Sequence, residues 1–229
     1  MSEQLKKPFA VNQQRGLVEK KLVVFDFDGV IADSWREHRN AYIDNFAIFG
    51  RNFPLKTKRQ WKEKYDSRWE QNYLKAGFKK SQLQAVVREY WKHLDFKGLK
   101  FFPGIQGMVK TLARDYDLAL LSTTHKEFLL YGLRKAGLKK FFRKIVGLTR
   151  KSNKAQALGK IMNSFDAKPS ETVMIGDTES DIKAGKANRT KTIGVTYGWY
   201  APARVRKTKP SAIARKPSEI PKLVEKLFN

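Results

Sequence analysis

Asp26 and Asp28 stand two residues apart at the end of a short apolar run, Leu22-Val23-Val24-Phe25, and Gly29 follows at once. Period-two alternation sends both carboxylates to one side of an extending chain while Phe27 turns into packing. Two like charges that close repel unless a cation compensates them. Gly29 removes a side chain where the backbone must turn, which lets an anion or a metal approach main-chain atoms. Asp-x-Asp-Gly also opens calcium loops, but those continue with oxygen ligands at alternate positions, and Val30, Ile31 and Ala32 supply none. Two further apolar runs end in polar clusters, Ser122-Thr123 and Gly176-Asp177 with Asp181 beyond. Four carboxylates meeting in one crevice require a divalent cation among them, and an all-oxygen set suits Mg²⁺. Hydroxyl and backbone donors at Ser122 and Thr123 suit phosphate oxygens, with a nearby lysine neutralising the remaining charge. The chemistry such a set supports is phosphoryl transfer to a carboxylate nucleophile.

Those clusters must be brought to one place by the elements that precede them. Leu22 to Phe25, Leu118 to Leu121, Lys144 to Gly147, Thr172 to Ile175 and Thr192 to Val195 read as strands separated by helices, the last helix spanning Ser218 to Phe228. Apolar strands alternating with helices of this length specify an α/β fold, a Rossmann-like parallel sheet covered on both faces. Ligands of such sheets bind at the carboxyl ends of the strands, where each polar cluster falls. Between the first strand and about residue 100 the texture is helical. Trp35, Tyr42, Phe46 and Phe49 recur at helical spacing, Thr57 can cap a segment carrying Trp61, Tyr65, Trp69 and Tyr73, and Ser81 can cap one with Leu83, Val86 and Tyr90. Aromatic stripes at three- and four-residue intervals read as a core before they read as a base-stacking platform. The expected organisation is an arm over 1–19, a core domain over 20–33 and 101–229, and an inserted all-helical domain over 34–100.

The 229-residue chain has no cysteine, which excludes disulfides and thiolate metal sites. Its first residues hold no signal-peptide core and no later run spans a bilayer, so the cytoplasm is the expected compartment and no membrane partner is expected. The net charge of +25 invites a nucleic-acid reading, but lysine and arginine are dispersed, the nearest cluster being Arg204, Arg206, Lys207 and Lys209. A small anionic phosphorylated metabolite suits the same field, and the sequence leaves oligomeric state open.

In this order, Asp26-Phe27-Asp28-Gly29-Val30, Leu120-Leu121-Ser122-Thr123, a lysine, and Gly176-Asp177-Thr178-Glu179-Ser180-Asp181 resemble the four motifs of the haloacid dehalogenase superfamily. The helical insert, Phe102-Pro103-Gly104-Ile105 and Ile193-Gly194-Val195-Thr196-Tyr197-Gly198 are similar to its phosphoglycolate phosphatase-like subgroup, which implies that the insert is a cap closing over the site. The resemblance implies that Asp26 attacks phosphorus and also ligates Mg²⁺. Asp28 then protonates the leaving oxygen, activates water and lends the metal its backbone carbonyl. Asp177 ligates the metal directly and Asp181 binds it through water or holds the lysine, and Ser122, Thr123 and Gly29 bind the phosphoryl group, with a backbone donor at Phe27. Both Lys151 and Lys154 lie in the region of the lysine motif, and the interval to Asp177 favours Lys154. Ser34 and Arg36, at the cap entrance, are candidates for reading the substrate. An acid at position 28 favours a phosphatase over a dehalogenase, since halide leaves without a proton. The expected function is a Mg²⁺-dependent phosphatase acting on a phosphoglycolate-like or sugar phosphate. The alternatives are a phosphomutase of the β-phosphoglucomutase type, and a nucleic-acid binder or polynucleotide phosphatase. His38, His93 and His125 are too scattered for a metal site; His125, just past the second motif, is a candidate for lining the pocket, although a surface histidine at a helix start is the first reading.

Overall fold

A computed structural model describes residues 20–148 and 153–229. The expected arm over 1–19 and Lys151 lie outside the described residues. Six strands, β1 (Leu22–Phe25), β2 (Asp117–Ser122), β3 (Phe142–Gly147), β4 (Thr172–Gly176), β5 (Lys191–Val195) and β6 (Ala212–Ala214), form one parallel sheet in the order β3-β2-β1-β4-β5-β6. The strand order turns back at β1, whose neighbours are β2 on one side and β4 on the other. Crevices open at such reversals. Phe25 is level with both Leu120 and Ile175, so the polar residues that follow the three strands arrive at one rim. The expected α/β sheet is thus present, with one strand more than the sequence reading provided. The three residues of β6 are too few to show a periodicity.

Alternation along β1 puts Val23 and Phe25 into one apolar cluster and Leu22 and Val24 into the other, and both faces are fully buried. The helices α5 (Ile105–Asp115), α6 (Lys126–Lys135) and α10 (Ile220–Phe228) contribute to the larger cluster, and α7 (Lys154–Ser164) and α8 (Glu179–Ala187) to the smaller. A further helix, α9 (Pro202–Lys207), follows β5 with Pro202 at its first position.

The insert after β1 is helical, as expected: α1 (Trp35–Ile48), α2 (Lys58–Lys64), α3 (Trp69–Leu74) and α4 (Leu83–His93). Its core is aromatic, with Tyr42 stacked on Phe53 at 4.7 Å and Trp61 on Tyr65 at 4.2 Å. Thr57 caps α2 in a reciprocal box with Gln60. The expected continuous segment from Thr57 through Tyr73 is instead two helices. The break falls where the Asn72 side chain bonds both the amide and the carbonyl of Asp66, and Asp66 Oδ1 takes the Arg68 amide. Short polar side chains compete here with the helical ladder. Ser81 caps nothing: it lies inside a single 3₁₀ turn, and Gln82 Oε1 takes the amide of Lys79. No helix among the described residues is long and apolar enough to cross a membrane.

Candidate active site

Asp26 follows β1, and its amide still donates to Ile175 O at 2.9 Å, which holds it in line with β4. Asp177 follows β4, and Asp181 sits one helical turn later in α8. The carboxylates of Asp26, Asp177 and Asp181 converge with ligand-capable oxygens within 4.8 Å of one another, all buried. Lys154, the first residue of α7, reaches the same spot. Its Nζ lies 3.0 Å from Asp26 Oδ2 and 2.5 Å from Asp181 Oδ1. Asn153 aims it by capping α7, its side chain accepting from the amides of Ala155 and Gln156. Asp181 is fixed in turn by Thr178, whose amide and hydroxyl donate to Oδ2 at 2.9 and 2.7 Å.

The Asp28 carboxylate is not part of this trio. The chain turns immediately after Asp26, with Phe27 O accepting from Val30, Ile31 and Ala32, so strand alternation no longer governs position 28. Oδ1 accepts from Ser34 Oγ at 2.6 Å and faces His38 Nε2 at 3.1 Å, while Oδ2 accepts from Thr124 Oγ1 at 2.6 Å and Ser122 Oγ at 3.4 Å. The two acids thus divide into a charge-dense side and a hydrogen-bonded side.

Electrostatics follow that division. Burial pushes Asp26 up to about 7 against the pull of Lys154, with Asp181 and Asp28 adding repulsion. Burial, then Asp181 and Asp26, hold Asp177 well above the usual carboxylate range. Burial alone would lower Lys154, but Asp181 and Asp26 outweigh it and raise it. Asp28 goes the other way: burial is offset by attraction to His38 and by the bonds from His38, Ser34 and Thr124, leaving it below its ordinary value.

Whether a divalent cation fits can be read from the donors. Three buried carboxylates face one lysine, and Asp177 Oδ1 is buried with no hydrogen-bond partner among the described residues. An all-oxygen cluster with surplus negative charge and an orphaned oxygen suits a hard divalent cation. Gly29 protects the approach: its φ is +77°, and a Cβ there would stand 2.1 Å from Asp177 Oδ2.

The other expected residues fall as follows. Ser122 and Thr123 line the cavity over the carboxylates, Ser122 buried and Thr123 exposed. Two expected backbone donors are engaged elsewhere, because the turn consumes them: Gly29 N donates to Ala32 O at 2.9 Å, and Phe27 N to Asp26 Oδ1 at 2.7 Å. Arg36 is exposed and does not line the cavity. Steps of about 100° put Ser34, His38 and Tyr42 on the inner face of α1 and Arg36 on the outer one. Ser34 reaches Asp28 rather than substrate space. His125 is exposed, yet it lines the cavity and stacks on Trp91 at 3.7 Å. Sequence reading missed His38, which the four-residue step from Ser34 signals, and Thr124, which lies next to an expected residue. It also missed Trp199, whose amide donates to Asp177 Oδ2 at 2.5 Å from a loop without periodicity.

Comparison with known proteins follows the same lines. Residues 23–195 match the model of a family described as haloacid dehalogenase-like hydrolases. The pyrophosphatase PpaX of Listeria monocytogenes is 31% identical over 144 residues, 61% of this chain and 66% of that protein, so the match spans just under two thirds of this relative's length. A phosphoglycolate phosphatase of Psychrobacter arcticus is 24% identical over 210 residues, 85% of this chain and 91% of that one. Among solved structures, a haloacid dehalogenase-like hydrolase from Streptococcus pneumoniae superposes with a TM-score of 0.79 at 22% identity, covering 90% of this chain and 98% of its own. A predicted phosphatase from Clostridium acetobutylicum gives 0.77 at 21%, covering 91% and 98%.

Proposed function

The chain belongs to the haloacid dehalogenase-like hydrolase family, and from that premise we propose that it is a Mg²⁺-dependent phosphatase of small phosphomonoesters working through an aspartyl-phosphate. The observation that carries the reading is the division of the two acids after β1. Asp26 sits among Asp177, Asp181 and Lys154, while Asp28 is held by neutral donors and His38 on the opposite side.

In this reading Asp26, Asp177 and Asp181 hold the ion, which when bound supplies charge to neutralise the phosphoryl oxygens. Asp26 attacks phosphorus and carries the phosphoryl group. Lys154 favours the ionised form of Asp26 and orients it, and Ser122 donates to the transferred group. Asp28 gives a proton to the leaving oxygen, then takes one from the water that hydrolyses the intermediate. As it stands Asp28 is a base. An incoming phosphate places negative oxygens beside it and raises its affinity for the proton it must deliver. The insert serves as a cap that excludes bulk water.

The test is release of inorganic phosphate from a broad panel of phosphate esters with and without Mg²⁺. Turnover that depends on Mg²⁺ and stops with a chelator is expected. Inactivity on every ester, or undiminished activity in chelator, would overturn the reading. Nothing in the site favours the phosphomutase reading over hydrolysis. Of the basic cluster, Arg204 is spent on the carbonyls of Lys62 and Tyr65 and on the Tyr200 ring, which weakens the nucleic-acid reading there.

A further inference from the structure

The cavity over the carboxylates has a floor that belongs to the sheet and a wall that belongs to the insert, where Trp69, Tyr73, Tyr90 and Trp91 line it. The loop after β5 touches both. On the floor side, Trp199 N donates to Asp177 Oδ2 at 2.5 Å, the one hydrogen bond to that carboxylate among the described residues. Gly198 packs directly on the same acid: a Cβ there would stand 2.3 Å from Gly29 O and 2.5 Å from Asp177 Oδ2. Tyr197 Oη ties the stretch to the turn after β1 by donating to Val30 O at 3.1 Å. On the wall side, the Trp199 indole stands edge-on to three rings of the insert, His38 at 4.8 Å, Trp61 at 5.3 Å and Tyr65 at 5.4 Å. The residues that follow hold the end of α2. The last carbonyls of a helix have no donor within it. Ala201 N donates to Lys62 O at 3.0 Å, and Arg204 Nη1 donates to Lys62 O at 3.1 Å and to Tyr65 O at 2.9 Å. Ser67 N donates to Tyr200 Oη at 3.1 Å. One residue, Trp199, thus has its main chain on a floor carboxylate and its side chain in the insert.

We infer that Trp199 is a positioning residue through which the seated insert orients Asp177 for the divalent cation. The inference rests on the reading that Asp26, Asp177 and Asp181 hold Mg²⁺ and deepens it, because ion affinity then depends on a part of the chain that supplies no ligand. With the indole held against His38, Trp61 and Tyr65, the Trp199 N–H stays on Oδ2 and leaves Oδ1, buried without a partner, as the oxygen free for an ion. Releasing the end of α2 frees the indole, and the carboxylate loses the donor that fixes its rotation.

The experiment is calorimetric titration with Mg²⁺ alone of the native protein, Arg204→Gln, Trp199→Leu, Trp199→Phe and Phe46→Ala. Arg204 is half-buried and bonds the insert, so Arg204→Gln loosens the end of α2 without removing a floor residue. It should raise the Kd for Mg²⁺ about fivefold or more, the low end of coupling between linked sites. Trp199→Leu should match or exceed that loss. Trp199→Phe, which keeps the amide and a ring for the insert, should stay within about twofold of native. Phe46→Ala strips the interior of the insert, where the ring packs on Phe53, Tyr73 and Phe78, and leaves residues 197–204 as they are. Its Kd should stay within about twofold, as for independent sites. If Trp199→Leu fails to fold, Arg204→Gln decides. Unchanged affinity in Arg204→Gln, or equal weakening in Phe46→Ala, would overturn the inference and leave the Mg²⁺ reading standing. A native protein that binds no Mg²⁺ would overturn that reading and the inference with it.

Discussion

The floor and the wall of this cavity are built on opposite plans. The floor is built at the ends of three neighbouring parallel strands, where sheet register, with Phe25 level with Leu120 and Ile175, puts Asp26, Ser122 and Asp177 at one rim, and the helix starts that follow add Lys154 and Asp181. The wall consists of rings projected mainly from the helices of the insert, set by how Tyr42, Phe46, Phe53 and Tyr73 pack among themselves. Register admits no small adjustment, since a one-residue slip reverses every side chain. An aromatic core of short helices tolerates repacking when its volume is kept. On the proposed reading chemistry therefore falls to the rigid part, and selectivity to the part that can change by substitution.

Substitutions on the floor should have the largest effects. Asp26→Asn removes the proposed nucleophile and should lower kcat by ~10⁴-fold or more, equivalent to over ~5 kcal/mol of transition-state stabilisation, with the fold intact by circular dichroism. Appreciable residual turnover would remove Asp26 from the nucleophile's role. Lys154→Met leaves Asp26, Asp177 and Asp181 without their lysine. It should lower unfolding free energy by ~3–5 kcal/mol in chelator and kcat by at least ~100-fold. Mg²⁺ should restore part of that stability by supplying the missing positive charge, as read by urea unfolding with and without the ion. A variant as stable as the native protein in chelator would show that the three acids do not strain the floor.

The same contrast explains what could be read in advance. The strands β1, β2 and β4 are legible because each is an unbroken apolar run ending in polar residues, and the acids at their ends are legible with them. Lys154 is legible from its place after Asn153 at a helix start. His38 is harder, because a single histidine in a helical insert has no partner in sequence, and only the turn after Asp26 brings Asp28 to it. Arg36 misleads because proximity along the chain to Ser34 says nothing about helix face. The break between α2 and α3 is set by Asp66 and Asn72, whose polar side chains win locally over a continuing aromatic stripe. Trp199 lies in a loop that only the tertiary fold carries over to Asp177.

On the wall, Phe46→Ala should cost ~3 kcal/mol by urea unfolding, because the ring is fully buried against Tyr73 at 5.2 Å and Phe78 at 5.0 Å. Its effect on catalysis should fall on KM, by about tenfold, with kcat within a few-fold, because no floor residue moves. A collapse of kcat instead would mean that wall and floor are one unit, which would erase the distinction.

The smallest effect belongs to the polar edge of the wall. Asp66 holds Arg68 and Lys75 at 3.0 and 2.9 Å. Burial would raise its carboxyl, but the bonds from Arg68 and Lys75 outweigh it and hold it down at about 2, against an ordinary 3.8. A carboxyl held low in the folded protein contributes stability that is complete above the unfolded value and is lost as pH falls through the folded one. Native protein and Asp66→Asn should therefore differ at pH 5 and converge as pH falls from about 4 towards about 2. Arg68 and Lys75 are largely exposed, so screening keeps the difference under about 1 kcal/mol, and added salt should shrink it. Urea midpoints across that pH range measure it. A difference that persists unchanged to pH 2 would assign Asp66's role to the amide of Arg68, which asparagine can still accept, and not to charge.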